Sequence, residues 1–255
     1  MIEIVNLCKN FDGHQVLDNL NMNINTGETT VIIGRSGCGK SVLLKHIIGL
    51  LRPDSGQVIV DGKDVTKMDD KELNMLRMEF GMLFQGAALF DSLNIHDNVA
   101  FSMIEHTNYS KVDIDKRVKE CLALVGLKDI EDKKPAELSG GMRKRVGLAR
   151  AIALRAKIIL YDEPTTGLDP IMGDSINDLI LELHKKLNVT SIAVTHDMKS
   201  AYKIANRIAM LYNGKIIATG TSQDIEDSKD PVVRQFITGA SKGPITEGID
   251  FDHLI

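Results

Sequence analysis

Thr30-Val31-Ile32-Ile33-Gly34-Arg35-Ser36-Gly37-Cys38-Gly39-Lys40-Ser41 is the stretch on which the reading of this chain turns. A short apolar run ends in G-x-x-x-x-G-K-S, a spacing that wraps backbone N–H groups around a polyphosphate because glycine permits a turn that a Cβ obstructs. Lys40 is expected to reach the β- and γ-phosphates, and the Ser41 hydroxyl to ligate Mg²⁺. A helix from Val42 to Leu51 should follow and aim the positive end of its dipole at the same anion. Gly34, Arg35, Ser36, Gly37, Cys38, Gly39, Lys40 and Ser41 are therefore candidate nucleotide contacts.

The 255 residues suffice for one large or two modest domains, and 43% apolar content suffices for a sizeable core. Thirty-one basic against 35 acidic residues leave a net charge of -4, which offers no general attraction to nucleic acid, and none is expected as a partner. No apolar run approaches the roughly 18 residues of a membrane span, and Met1-Ile2-Glu3-Ile4 does not open a signal peptide. A soluble protein of the cytosol is expected. Cys8, Cys38 and Cys121, odd in number and without C-x-x-C spacing, argue against disulfides and against a zinc site.

The apolar run before the cradle recurs as Ile158-Ile159-Leu160-Tyr161 and Ser191-Ile192-Ala193-Val194, which read as buried parallel strands. Each run meets chemistry at its end: the cradle, Asp162-Glu163, and Thr195-His196. Open α/β sheets place their sites at the carboxyl ends of such strands. Ile2 to Val5, Val16 to Ile24 and Gln57 to Val60 look like a more antiparallel layer, and Asn213-Gly214 marks a hairpin between Ile208–Tyr212 and Lys215–Thr219. From Gly86 to Ala136 the strand pattern lapses while Ile114, Val118, Leu122 and Val125 recur at helical spacing, as in a helical subdomain or a set of crossover helices. The chain thus divides into a core over 1–85 and 151–240, a helical subdomain over 86–150, and a tail over 241–255. The tail follows a breaker at 239–244 and carries Ile249, Phe251, Leu254 and Ile255, which suit docking on a neighbouring subunit or small partner, or else a frayed end.

Asp162 and Glu163 deliver adjacent carboxylates from a buried strand. Asp162 is expected to hold Mg²⁺, and Glu163 to polarise the water that attacks the γ-phosphate. Leu138-Ser139-Gly140-Gly141-Met142 precedes a helical pattern in which Val146, Ala149, Ile152 and Ala153 share a face. With the cradle, this loop, the Asp162-Glu163 pair, Asp169 and His196 in order, residues 2 to 240 resemble an ATP-binding-cassette ATPase. The resemblance implies an α/β P-loop NTPase fold of the ABC-ATPase type: a mainly parallel core sheet, an antiparallel β layer and an inserted helical subdomain. It also implies a homodimer in which Ser139, Gly140 and Gly141 cap the γ-phosphate of ATP bound by the other subunit. By the same match Gln85 reaches Mg²⁺, Phe11 stacks on adenine with Val16 nearby, His196 binds the γ-phosphate and orients the attacking water, and Asp169 organises the dimer contact. Catalysis would rest on Glu163, His196 and Lys40. Met142 departs from the glutamine usual in the family. Other histidines, including His14, His46, His106 and His184, read as structural.

Ser41 to His46, Phe84 to Leu93 and Gly141 to Val146 resemble one branch more closely, the ATPases of bacterial phospholipid-trafficking (Mla, maintenance of lipid asymmetry, and Mce-associated) systems. That resemblance implies a peripheral dimer on the cytoplasmic face of the inner membrane, beneath an integral membrane permease, with an MCE-domain substrate-binding protein beyond it and in some systems a small STAS-domain protein. It also places permease coupling at 86–93, with Leu89 and Phe90 exposed. The trio Arg143, Lys144 and Arg145 is otherwise read as a solvated helix face. A cassette for another substrate, such as an amino acid or a drug, a soluble non-transport cassette protein and a simple P-loop kinase are the competing readings.

Overall fold

A computed structural model of the chain describes residues 1–247. Its first half runs β1 (Ile2–Phe11), β2 (His14–Ile24), β3 (Thr29–Ile33), α1 (Lys40–Ile47), β4 (Ser55–Val60), β5 (Lys63–Asp64), α2 (Asp70–Arg77), β6 (Phe80–Leu83), α3 (Ile95–His106) and α4 (Lys111–Leu124). The second half runs α5 (Gly140–Ile152), β7 (Ile158–Asp162), α6 (Pro170–Leu187), β8 (Thr190–Thr195), α7 (Met198–Ile204), β9 (Arg207–Tyr212), β10 (Lys215–Gly220), α8 (Ser222–Glu226) and α9 (Pro231–Thr238). Among the described residues no helix is long and apolar enough to cross a membrane.

Six strands form the central sheet in the order β10-β9-β3-β8-β7-β6, and β2-β1-β4-β5 form a separate antiparallel sheet. β3 lies parallel between β8 and β9, and β7 parallel between β8 and β6. β3 is buried on both faces: Val31 and Ile33 enter one core with residues of α3 to α7, while Ile32 enters the other with α1 and the antiparallel sheet. Burial on both faces explains why these strands read as unbroken apolar runs. Only the β9–β10 hairpin at the edge runs antiparallel, closing at Asn213 and Gly214, whose φ values of 46° and 77° suit the turn that Asn-Gly encodes.

Several bounds move. α1 starts at Lys40 rather than Val42 and stops at Ile47 rather than Leu51. It stops because Gly49, at φ 67°, turns the chain back so that Leu50 N–H donates to the Lys45 carbonyl at 2.8 Å. β1 extends past Val5 to Phe11 by way of register shifts between Ile4 and Leu7, where Asn6 takes φ 49°. The sequence reading had no β6. Its Gly81 weakens the strand pattern, yet the glycine is required there, since a Cβ would lie 2.2 Å from the Ala151 carbonyl oxygen of α5.

The segment 86–150 lies between the neighbouring parallel strands β6 and β7, with α3, α4 and α5 packed on one another and α5 also packed on β6. Of the residues at helical spacing, Val118, Leu122 and Val125 are buried there, while Ile114 is half-buried against the same core. At the other end, α9 stops at Gly239, and the chain over 240–247 folds back along it. The Gln235 amide holds this return: Oε1 accepts from Ile245 N–H at 2.7 Å, and Nε2 donates to the Ala240 carbonyl at 3.1 Å. Ile249, Phe251, Leu254 and Ile255 lie outside the described residues.

His46, in the last turn of α1, is buried with Nδ1 on the Val42 carbonyl at 2.8 Å and Nε2 without a partner. Burial pulls its pKa below 6.5. The unfolded chain thus takes up a proton that the folded chain refuses, so the stabilisation is complete above about pH 6.5 and fades as pH falls below it. His46→Met is expected to flatten the fall of the unfolding midpoint between about pH 7 and about pH 5. Thermal melts across that range check it, and an unchanged slope would assign the acid lability to other groups.

Candidate active site

The parallel register of β3, β8 and β7 brings three strand ends together: Ile33 pairs with Thr195, and Val194 with Asp162. The cradle leaves β3 at this edge. Gly34 (φ 155°) and Gly39 (φ 104°) are required by close approach, since a Cβ at Gly34 would sit 2.4 Å from the Leu211 carbonyl oxygen, and one at Gly39 2.9 Å from Val16 Cγ1. Lys40 is buried, and its Nζ donates to the carbonyls of Gly34 at 2.8 Å and Arg35 at 3.0 Å. The ammonium therefore lies across the loop that it would share with a phosphate. Ser41 Oγ donates to Asp162 Oδ1 at 2.7 Å.

Glu163 stands at the centre. Its Oε2 lies 2.9 Å from His196 Nδ1 and accepts from Thr166 Oγ1 at 3.0 Å and Thr195 Oγ1 at 3.5 Å, while Oε1 lies 3.5 Å from Lys40 Nζ. Its backbone takes φ 48°, a strained conformation for a non-glycine residue, and its N–H donates to the Val194 carbonyl at 3.0 Å. The carboxylate is thus aimed by two hydroxyls, an imidazole and an ammonium. His196, 49% exposed at its side chain, faces the open side.

A cavity of about 310 Å³ opens onto these groups. Ser36, Gly37, Gly39, Lys40 and Ser41 form its floor, Glu163 and His196 one wall, and Phe11, Val16 and Gln85 its rim. Phe11 is 41% exposed, so it is no core residue, and Lys9 Nζ lies over its ring, 5.3 Å from the centroid. Arg35 and Cys38 instead line a neighbouring cavity, together with His14, Ile245 and the β9–β10 turn. Arg35 donates there to the Ile245 carbonyl at 3.2 Å. Burial raises the Cys38 pKa and keeps its thiol protonated, which disfavours alkylation.

Ser139, Gly140, Gly141 and Asp169 do not line the cradle cavity. Ser139 caps α5, its Oγ accepting from Met142 N–H at 3.3 Å, and Asp169 caps α6, its Oδ1 accepting from Ile171 and Met172 N–H at 3.0 Å. Asp169 and His196 border another cavity, about 440 Å³, between the 165–170 loop and α7.

Sequence reasoning passed over several site residues. Thr166 and Thr195 aim the Glu163 carboxylate. Arg150 donates to the Ala87 and Ala88 carbonyls at 2.7 and 2.6 Å, holding two non-glycine residues at φ 62° and 46° just after Gln85. Lys144 belongs to no solvated face: it is 5% exposed, burial lowers its pKa, and its Nζ donates to the carbonyls of Gln85 and, at 3.2 Å, Glu163. Its signal lay in the spacing, because Gly141, Lys144, Leu148 and Ala151 form one buried stripe of α5. Arg145 is half-buried, donating to the Val125 carbonyl and Ser175 Oγ, and Arg143 alone of the trio is exposed. His184 bridges Thr29 and Ser191 hydroxyls at 3.3 Å, a structural role.

Residues 17–166 match the family model for the ABC transporter. Over 244 residues, 96% of this chain and 68% of the relative, the chain is 44% identical to a protein of Mycobacterium bovis named "Probable ribonucleotide transport ATP-binding protein mkl". It is 43% identical, over 96% of this chain and 93% of the relative, to the "Intermembrane phospholipid transport system ATP-binding protein MlaF" of Haemophilus influenzae. Among solved structures it resembles the dimeric post-hydrolysis state of the ATP-binding cassette MJ0796 bound to ADP and Pi, with a TM-score of 0.80, 34% identity, and coverage of 87% of this chain and 99% of that one. The chain belongs to the ABC transporter ATPase family, and it is an ATP-binding, ATP-hydrolysing enzyme. Phe11→Ala is expected to weaken ATP binding about tenfold, the loss of one base stack, while Phe11→Trp stays within about twofold. Titration with a fluorescent ATP analogue measures both, and unchanged affinity in the alanine variant would remove Phe11 from the base site.

Proposed function

We propose that this ATPase closes as a homodimer around two ATP molecules and drives phospholipid trafficking between the inner and outer membranes through a partner permease. The observation that carries the hydrolytic part is the Glu163 carboxylate, oriented by Thr166, Thr195, His196 and Lys40 at the rim of the cradle. In this reading Glu163 draws the proton from the attacking water, His196 holds that water and the γ-phosphate, and Lys40 leaves the carbonyls of Gly34 and Arg35 for the β- and γ-phosphate oxygens. Ser139, Gly140 and Gly141 act on the opposite subunit's ATP, supported by their position outside the cradle cavity of their own chain and by the dimeric state of the related cassette. Asp169 borders the same interface.

The donor set suits Mg²⁺. Ser41 Oγ and Asp162 Oδ1 are hard oxygens 2.7 Å apart at the end of the cradle, with the Gln85 amide on the rim of the same cavity. These residues would hold the ion, which when bound neutralises developing phosphate charge. Residues 86–150 would move as a subdomain, and exposed Phe90, stacked 4.8 Å from exposed Phe101, offers an apolar patch for the permease. The phospholipid assignment rests on the relatives named for phospholipid transport, and on it rest an MCE-domain protein, a small STAS-domain protein and a peripheral place on the cytoplasmic face of the inner membrane. The relative named for ribonucleotide transport supports a second reading, a cassette for another solute.

Glu163→Gln should keep ATP binding, lose hydrolysis and accumulate an ATP-bound dimer in gel filtration; normal turnover would remove Glu163 as the base. Ser139→Arg should abolish hydrolysis while a monomer still binds ATP, and loss of monomer binding would refute the trans geometry. Mass spectrometry of what co-purifies with the tagged chain from native membranes tests the substrate. A permease together with an MCE-domain protein supports lipid trafficking, and a permease without one discards it.

A further inference from the structure

α5 meets the nucleotide site from behind. A Cβ at Gly147 would lie 2.8 Å from Leu83 Cδ1 and 3.4 Å from Ala87 Cβ, so the helix and the loop after β6 touch with no room between them. Into this contact α5 sends a lysine. Lys144 has three N–H donors, and two of them reach carbonyls far apart in sequence: that of Gln85, on the loop leaving β6, and that of Glu163, on the strained turn leaving β7. One helical turn and a half later, Arg150 holds the carbonyls of Ala87 and Ala88 on the same loop.

We propose that Lys144 is a positioning residue for hydrolysis, its buried ammonium tying the Gln85 loop, the Glu163 backbone and the helix headed by Ser139 into one unit. The inference rests on the reading of Glu163 as base and names what keeps that base aimed. The φ of 48° at Glu163 needs outside support to persist, and its carbonyl finds such support in this ammonium. Without Lys144, two carbonyls at a buried contact lose their donor, and the backbone that carries Glu163 loses its tie to the Gln85 loop. A displacement of about 1 Å at a reacting group costs up to about a hundredfold in rate. The cradle N–H groups and the carbonyls of Gly34 and Arg35 that hold Lys40 take no part in these contacts, so nucleotide affinity measured without Mg²⁺ should be untouched.

The test compares Lys144→Met, which keeps the stem and removes every donor, with Lys144→Gln, which keeps one donor-bearing group. Expected are a kcat reduced about 10-fold to 100-fold in the methionine variant and less in the glutamine variant, with the Kd for a fluorescent ATP analogue, titrated without Mg²⁺, within about twofold of wild type in both. In the nucleotide-free protein, amide exchange over residues 85–88 should also quicken about tenfold. Unchanged kcat in Lys144→Met, or a Kd that weakens in step with kcat, would overturn the proposal. If the methionine variant does not fold, the glutamine variant carries the same comparison. Glu163→Gln measured alongside separates the two readings: normal turnover there overturns the assignment of the base, whereas its loss together with normal turnover in Lys144→Met overturns only the positioning role.

Discussion

The parallel pairing of β3, β8 and β7 is the constraint on which the rest depends. Parallel neighbours run about 4.8 Å apart and end on the same side of the sheet. Residues that are 121 positions apart in sequence, Ser41 and Asp162, thereby come within hydrogen-bond reach, and Glu163 meets both Lys40 and His196. No local interaction could gather them. The sheet must be buried on both faces to hold that register, which is why the layers on either side, helical and antiparallel, are as much a part of the site as the cradle itself.

What was legible in the sequence follows from how local its cause was. The cradle, the three buried strands and the Asn213-Gly214 hairpin each owe their form to neighbours within a few residues, and all stand where the pattern placed them. β6 was hidden because its Gly81 is explained only by the Ala151 carbonyl that crosses it. Lys144 was hidden because a lysine between two arginines looks solvated until the helix is rotated to show it on the stripe of Gly141, Leu148 and Ala151. Ala87 and Ala88 give no sign of positive φ, since the guanidinium that holds them lies more than sixty residues further on. Residues 241–247 of the return belong to the expected tail, and only the buried Gln235 amide discloses that they are anchored.

Met142 marks where local form and chemistry separate. The loop depends on Ser139 for its cap, on Gly140 and Gly141 for open N–H groups, and on the backbone of residue 142 rather than its side chain: Met142 N–H is the group that Ser139 Oγ accepts from. The methionine side chain is half-buried and packs toward the core that α5 shares with α6. The departure from glutamine therefore leaves the capped start of α5 intact.

Charge supports the proposal that this site draws on residues of a second chain. Without nucleotide the buried ions already balance, Lys40 and Lys144 against Asp162 and Glu163. A triphosphate adds several negative charges beside carboxylates that are themselves buried, and like charges so placed are costly without compensation. In the proposed reading Lys40 would only pass from two carbonyls to the phosphates, bringing no new charge. α1 contributes the positive end of one dipole, and its first residues are those of the cradle. The remainder has to enter with the ligand or from outside the chain, and a divalent cation on Ser41 and Asp162 together with a second helix start, that of α5 in a partner subunit, are the two sources that the proposed closed dimer supplies. In that proposed dimer, removal of the γ-phosphate by hydrolysis would take away the charge that both helix starts face, and with it the reason for the two chains to stay closed.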